Sequence, residues 1–169
     1  DRRQRQMCIR DRYLLELGMD PQTEVLQEIA QLLWESWQEP GDFKLYPKGA
    51  TFPCQTIPAA TLLVRLGHGD DPRMKQTVTH LLSTRHEDGG WWCKKFYFGK
   101  GPETTVSNPL PTLNALELFR QIETVDASEL EAAIEFLLHH WETKLPIGPC
   151  HYGIGTLFMQ VEYPFRGYN

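Results

Sequence analysis

Cysteine and histidine residues in three separate stretches of this chain could bind a metal or activate a thiol. Zinc accepts thiolate and imidazole ligands, which Cys54, Cys93 and the adjacent Cys150 and His151 could supply. Their spacing matches no compact metal motif, and small thiols are more often buried in a core. We therefore assign no cofactor and keep zinc as an open alternative.

Aromatic side chains form a second group with potential chemistry. The densest cluster contains Trp91, Trp92, Phe96, Tyr97 and Phe98. Ring faces of this kind can line a cavity for an apolar ligand or stabilise a cation. They can equally cover the end of a helical layer, which is the reading that we favour for Trp91.

The elements that must position these residues repeat along the chain. Residues 55–86 match residues 111–142 at a shift of 56 without a gap, so that Thr56 corresponds to Thr112. A weaker copy lies upstream at a shift of 49, where Leu17 and Gly18 fall on Leu66 and Gly67. Self-similarity at this period is typical of stacked repeats that cannot bury their apolar faces alone.

Each repeat is predicted to be a helical hairpin. The second helix is amphipathic, and its predicted core positions are Met74, Val78, Leu81 and Leu82 in one copy and Leu130, Ile134, Leu137, Leu138 and Trp141 in the next. The first helix is apolar on most sides, so neighbours should surround it. The simplest packing is a double ring with the first helices inside.

Helix starts are signalled locally. Asp71 before Pro72 predicts a cap at one second helix, and Ser128 with Glu131 has the spacing of a capping box at the next. The long connections and the N-termini of the inner helices share one rim of the predicted ring.

The turn Asp88-Gly89-Gly90-Trp91 lies between a second helix and the next first helix. This Asp-Gly-Gly-Trp turn resembles the repeat motif of the terpenoid cyclase and protein prenyltransferase superfamily. Residues 148–158 and 163–165 also resemble segments of bacterial prenyltransferase-like proteins. The resemblance covers about residues 13–169 and implies an all-α fold, an α/α toroid of which this chain holds about two and a half units.

The resemblance also implies chemistry that the residues only partly support. Triterpene cyclases of this superfamily protonate substrate from an Asp-rich motif at an inner helix, but residues 54–57 and 108–111 contain no acid. Protein prenyltransferases bind zinc through an Asp-x-Cys pair and a distant His, and no Asp-x-Cys occurs here. No catalytic residue can be assigned, and enzymatic activity stays undecided.

We expect an isoprenoid or similar apolar ligand in the inner barrel, bound for transfer or cyclisation if the complete protein is catalytic. The predicted ligand-binding residues all lie on the long-connection rim. They are Cys54, Trp92, Phe96, Tyr97, Asn108, Cys150, His151 and Tyr152.

Two other functions are open at this point. The missing acid and the missing Asp-x-Cys suit a noncatalytic toroid that serves as a binding or scaffold module. A carbohydrate-active toroid would stack sugars on its loop aromatics, but it needs paired carboxylates. Glu87 and Asp88 are committed to the turn, which makes this the least favoured reading.

Composition limits the partners. The formal net charge of −5 without a basic stripe is a poor match for nucleic acid. No apolar stretch approaches the roughly 20 residues of a membrane span, although peripheral contact with a membrane stays open. Four cysteines without a signal peptide favour reduced thiols and a cytoplasmic location. Missing repeats of the same chain are the remaining expected partner.

Residues 1–12 do not fit the pattern of the rest. Residues 7–12 resemble a translated sequencing adapter, and residues 1–6 show no apolar periodicity. We predict that 1–12 is a non-native or disordered segment and that 13–169 is the toroid domain. The alternative is a basic native arm for an acidic partner.

Overall fold

Proline and glycine divide this chain into short helices. The computed structural model describes residues 12–45, 51–91, 107–122 and 125–143, and these residues are mainly helical. The longer helices, in chain order, are α1 (Glu24–Glu35), α2 (Pro53–Leu63), α3 (Pro72–Ser83), α4 (Pro109–Arg120) and α5 (Glu131–Thr143). The predicted helical class is confirmed for this part of the chain.

Shorter elements join the helices. Residues 12–16 are helical, a π-helical turn at Val64–His68 extends α2, and a 3-10 turn at Ala127–Leu130 leads into α5. A small antiparallel ribbon, which we did not predict, pairs β1 (Trp37–Gln38) with β2 (Asp42–Phe43). In its register Trp37 lies opposite Phe43.

The chain divides into two compact units. The first comprises Asp1–Thr84 with Glu117–Thr124, and the second comprises Arg85–Leu116 with Val125–Asn169. One of the three boundaries along the chain therefore falls within α4, between Leu116 and Glu117.

In the first unit, α2 is the central helix. It packs against α1, β2 and α3, and eight of its eleven residues are buried. The prediction that neighbours surround this helix is confirmed. The largest fully buried apolar side chains of the unit are Leu26, Phe43, Ile57, Leu63, Leu66, Met74, Leu81 and Leu118.

Helix α3 follows its sequence pattern closely. Asp71 is its N-cap and accepts a hydrogen bond from the backbone N–H of Arg73, and Pro72 occupies the first turn. Met74, Val78 and Leu81 are buried as predicted. The break before α3 comes at Gly67, whose φ of 90° is a backbone conformation that favours glycine.

The position of helix α1 shows that the predicted register of the upstream repeat is wrong by one residue. Its bounds match those of α3 at a shift of 48, not 49, and its buried residues are Leu26, Ala30, Leu33 and Trp34. The shift of 49 holds for Gly18, which has a φ of 86° like its counterpart Gly67. Because the connection after Gly18 is one residue longer, Val25 and Leu32 turn outward and are 55% and 45% exposed.

The second unit contains the Asp88-Gly89-Gly90-Trp91 turn, the start of α4 and helix α5. Trp91, Thr112 and Ala115 are fully buried, and Ala133 and Leu137 are buried on α5. The reading of Trp91 as a structural side chain agrees with this burial.

Two predictions for α5 are wrong. Ser128 lies inside the 3-10 turn that precedes α5 and is not a cap; Asp126 is the N-cap of that turn, and its carboxylate accepts from the backbone N–H of Ser128. Three predicted core residues lie in solvent, because no described part of the chain covers them. Ile134, Leu138 and Trp141 are 42%, 52% and 54% exposed.

Candidate ligand-binding rim

The structure describes two of the eight predicted ligand-binding residues, Cys54 and Asn108. The other six lie outside the described residues, as does Cys93. They are Trp92, Phe96, Tyr97, Cys150, His151 and Tyr152.

Cys54 lies in the first turn of α2, directly after Pro53, and its side chain is half-buried. The first turns of α2 and α4 contain no acidic residue. Cys54 is thus a half-buried reduced thiol in the first turn of α2.

Asn108 lies directly before α4 and is only 1% exposed. Its backbone N–H donates to the carbonyl oxygen of Trp91 at 3.0 Å. Its own carbonyl accepts from the hydroxyl of Thr112 at 2.8 Å and from the backbone N–H of the same residue. Hydrogen bonds of the Asn108 backbone thus connect Trp91, the aromatic residue of the turn, to the start of α4.

In both units, a hydrogen bond from a backbone N–H of the turn to a threonine hydroxyl of the following helix connects the two elements. We call this connection the joint. In the first joint, the backbone N–H of Phe43 donates to Oγ1 of Thr56 at 3.1 Å. In the second, the backbone N–H of Trp91 donates to Oγ1 of Thr112 at 3.2 Å. Phe43 and Trp91 are both fully buried, and a shift of 48 relates them.

Each joint also contains an aspartate that accepts from a hydroxyl preceding the inner helix. Asp42 accepts from Thr51 at 2.8 Å and from Thr56 at 3.1 Å. Asp88 accepts from the hydroxyl and backbone N–H of Ser107. Thr51 and Ser107 are equivalent at a shift of 56, although the two aspartates occupy different turn positions.

A histidine lies beside each of these carboxylates. In the first joint, His80 Nε2 is 3.4 Å from Asp42 Oδ1, and in the second, His86 Nδ1 is 3.2 Å from Asp88 Oδ1. Both pairs are largely shielded from solvent. Each carboxylate is therefore held by several partners at once, as expected of a group that fixes a turn.

In each joint a turn glycine lies close to the helix packed on it, which is α3 for Gly41 and α5 for Gly89. A Cβ on Gly41 would lie 2.8 Å from Thr77 Cα, and a Cβ on Gly89 would lie 2.5 Å from Ala132 Cβ. Thr77 and Ala133, which Gly89 also approaches, are equivalent at a shift of 56. Each joint therefore connects three elements: the turn, the helix that carries the threonine, and the next helix of the chain.

The electrostatics of the second joint favour an ionised carboxylate. Burial raises the pKa of Asp88, but hydrogen bonds from Ser107, from the Gly90 backbone and from His86 outweigh it and place the pKa below its ordinary value. An aspartate of this kind accepts hydrogen bonds and is a poor proton donor at neutral pH.

In α2 and α4, the less buried residues near the N-terminus differ in polarity from those near the C-terminus. Near the N-terminus of α2 they include Cys54 and Pro58, and α4 has Leu110 and Leu113 in the same region. At the other end of α2, Arg65 pairs with Glu117 at 3.1 Å. The N-terminal halves of the inner helices thus offer apolar surface.

The charged end is stabilised by several hydrogen bonds. Those from Arg120, and then from Arg65, outweigh the effect of burial and lower the pKa of Glu117. Arg65 NH1 also lies 3.7 Å from Glu16 Oε1. This cluster is therefore ion-paired and does not present a bare charge to a ligand.

Comparisons with protein-family profiles, with curated proteins and with solved structures found no match for this chain. Within the described ranges, no three Cys, His, Asp or Glu side chains come together in a way that could hold a metal ion. The helices that the structure describes all lack the combination of length and apolarity needed to cross a membrane.

Sequence reasoning missed the first joint. The stretch Glu39-Pro40-Gly41-Asp42-Phe43 matches Glu87-Asp88-Gly89-Gly90-Trp91 at a shift of 48, with the pattern Glu-x-Gly-x-aromatic. A search for this looser pattern would have found it. Pro40 and Asp42 stand where the Asp-Gly-Gly-Trp turn has Asp88 and Gly90, so the first turn does not match the full motif.

Proposed function

We propose that this chain is part of an α/α toroid similar to the terpenoid cyclases and protein prenyltransferases, and that it binds an isoprenoid or similar apolar ligand. The ligand lies along the N-terminal half of helix α2. The observation that carries the proposal is the partly exposed strip of Cys54 and Pro58 at this end of α2. In the second unit, Leu110 and Leu113 are the partly exposed apolar residues at the corresponding end of α4.

The repeated joint supports the toroid part of the proposal. Two turns of related sequence connect to inner helices through the same backbone-to-threonine hydrogen bond. A device that recurs at every repeat is what a closed or extended array requires, because each repeat must seat its neighbour in the same way. The predicted rim residues follow these joints or precede the inner helices.

A second function, a noncatalytic binding or scaffold module, is favoured by the state of the carboxylates. Asp42 and Asp88 both accept hydrogen bonds from the joint hydroxyls. Protonation of an isoprenoid would need an acid with a raised pKa, whereas the pKa of Asp88 is lowered. The described residues thus support ligand binding better than they support catalysis.

Equilibrium binding of a fluorescent farnesyl analogue to the full chain tests the proposal. Cys54→Asp places a carboxylate in the apolar strip and should weaken binding at least about tenfold, because a charge resists burial in an apolar site. Gln76→Asp adds the same charge on the exposed face of α3 and should leave binding unchanged. Trp92→Ala and Tyr152→Ala should also weaken binding.

The outcomes separate the two functions. Saturable binding that Cys54→Asp weakens and Gln76→Asp preserves supports the apolar site. If the folded wild-type chain binds no farnesyl analogue, the ligand proposal fails and the scaffold function is favoured. If Cys54→Asp binds as well as the wild type, the ligand does not lie on α2.

A further inference from the structure

Helix α1 has an exposed apolar stripe beside its buried side. Val25, Ile29 and Leu32 are spaced by four and three residues and therefore lie on one side of the helix. Val25 and Leu32 are 55% and 45% exposed, and Ile29 is half-buried. We call these three residues the α1 face. Contiguous exposed apolar surface is typical of sites that contact another protein.

The internal repeat shows how the same side of a helix is used elsewhere in the chain. Helices α1 and α3 have the same bounds at a shift of 48. The α1 face therefore corresponds to Arg73, Thr77 and His80 of α3. All three of these residues contact the repeat that precedes α3.

These contacts join α3 to α1 and to the ribbon that follows α1. Arg73 lies over the ring of Trp34, with its guanidinium carbon 4.0 Å from the ring centre. Oγ1 of Thr77 accepts a hydrogen bond of 3.0 Å from the indole N–H of Trp37. His80 contacts the ribbon carboxylate of the first joint. The α1 face is thus the side by which α3 contacts its preceding repeat.

Helix α5 exposes the position that receives this contact. Leu138 corresponds to Trp34 at a shift of 104. With Ile134 and Trp141 it forms an apolar stripe on one side of α5, which we call the α5 face. Ile134, Leu138 and Trp141 are 42%, 52% and 54% exposed.

The turn glycines support the register of α5 that this comparison uses. A Cβ on Gly41 would lie 2.9 Å from the carbonyl oxygen of Gln76, and a Cβ on Gly89 would lie 2.8 Å from the carbonyl carbon of Ala132. Gln76 and Ala132 are equivalent at a shift of 56. Shifts of 48 and 56 together give the shift of 104 between α1 and α5.

The two faces hold most of the exposed large apolar side chains in the described part of the chain. Eight such side chains are exposed there, and five of them belong to the α1 and α5 faces. Val25 takes the place of Arg73, and Leu138 takes the place of Trp34. The pair that meets within the chain is therefore replaced by two apolar side chains, which gain free energy by covering each other.

Charge should make a contact between the two faces weak and dependent on salt. Glu24 and Glu28 are exposed on α1, and Glu131 and Glu135 are exposed on α5. Like charges beside the faces oppose association, and salt screens them. A contact made by apolar side chains should therefore strengthen as the salt concentration rises, whereas a contact made by ion pairs should weaken.

We propose that the α1 face of one copy of this chain docks onto the α5 face of a second copy, with Val25 against Leu138 as Arg73 lies against Trp34. The two copies meet through different surfaces, so each assembly keeps one free α1 face and one free α5 face. Association of this kind grows by the addition of further copies. The contact involves no ligand.

Sedimentation equilibrium of the full chain tests this contact at about 0.1 M and about 1 M salt, over chain concentrations from about 10 μM to about 1 mM. Leu32→Glu places a charge in the α1 face, and Leu138→Glu places one in the α5 face. Each should weaken self-association at least about tenfold, because the carboxylate would be buried between apolar surfaces. Gln31→Glu and His139→Glu add the same charge at the neighbouring exposed positions and should preserve association.

A mixture of the two face variants separates this contact from other modes of association. The Leu32→Glu chain keeps an intact α5 face, and the Leu138→Glu chain keeps an intact α1 face. An equimolar mixture should therefore recover association, and this association should stop at dimers. Recovery would also show that both variants are folded, as expected for side chains that are half in solvent.

Three results would overturn the proposal. The first is a wild-type chain that stays monomeric at both salt concentrations. The second is loss of association in only one face variant or in neither, which would mean that one face pairs with itself or that another surface is used. The third is a mixture that does not associate although both variants keep the circular dichroism spectrum of the wild type.

Discussion

Gly89 lies against Ala132 so closely that an added Cβ would come within 2.5 Å of the alanine Cβ. Its φ of 84° is also one that other residues adopt at a cost. The turn glycine is thus fixed both by its backbone conformation and by the helix packed upon it. Its counterpart Gly41 approaches the backbone of α3 in the same manner.

Gly89→Ala should therefore destabilise the chain by about 2–4 kcal/mol, from the dihedral cost and the clash together. Gly18→Ala is the matched control, because Gly18 has a φ of 86° but none of the described residues has a heavy atom within 4 Å of the added Cβ. It should cost about 1–2 kcal/mol. Urea unfolding measures both, and equal losses would show that the packing against α5 is unimportant.

Thr56→Val should cost about 1–3 kcal/mol, because it leaves the buried backbone N–H of Phe43 without its acceptor. Thr56→Ser keeps the hydroxyl and should recover most of that loss. Thr61→Val on the same helix is the control, since its hydroxyl donates to the Ile57 carbonyl one turn earlier in α2. A loss at Thr61 as large as at Thr56 would argue against the joint.

Asp88 should make stability fall in acid. In the folded chain the pKa of Asp88 is below its ordinary value of 3.8. The ionised carboxylate therefore stabilises the fold fully at pH values above 3.8, and this stabilisation is lost as the pH falls through the lowered pKa of the folded state. Asp88→Asn should flatten the dependence of the unfolding free energy on pH between about pH 5 and pH 2. Ser107→Ala, which removes one donor to Asp88, should have an intermediate slope; three identical slopes would exclude this role.

Asp71→Ala should destabilise the chain by about 1 kcal/mol through loss of the α3 cap. Asp71 also holds Arg73 through two side-chain hydrogen bonds of 3.0 and 2.7 Å, while Arg73 covers Trp34. Asp71→Ser restores a cap but not the ion pair. Recovery of stability in the serine variant identifies the cap as the main effect, whereas no recovery would assign it to the contact with Arg73.

The sequence predicted the helices of each hairpin well, because their signals are local. The Asp71-Pro72 start, the break at Gly67 and the all-round apolar character of α2 each depend on a few neighbouring residues. The predicted register of α1 was wrong by one residue. The connection after Gly18 is one residue longer than expected, and this changes which side chains of α1 face the core.

The faces and joints were harder to predict for a different reason. Apolar periodicity on α5 shows which residues could be buried, but burial of Leu138 needs another element to cover it. The Phe43 joint needs Thr56 from another element, so its turn sequence alone does not reveal it. Of the predicted rim, the positions of Cys54 and Asn108 are described, and the other six residues stay predictions.

The spacing of the joints determines where the chain tolerates insertions. Gly41 and Gly89 both follow the end of an outer helix by six residues, at Glu35 and Ser83. By contrast, Phe43 precedes its inner helix by ten residues and Trp91 by eighteen. Related chains should therefore differ in length between the turn aromatic and the inner helix, and that stretch is where an epitope tag can be inserted without displacing a glycine from its helix.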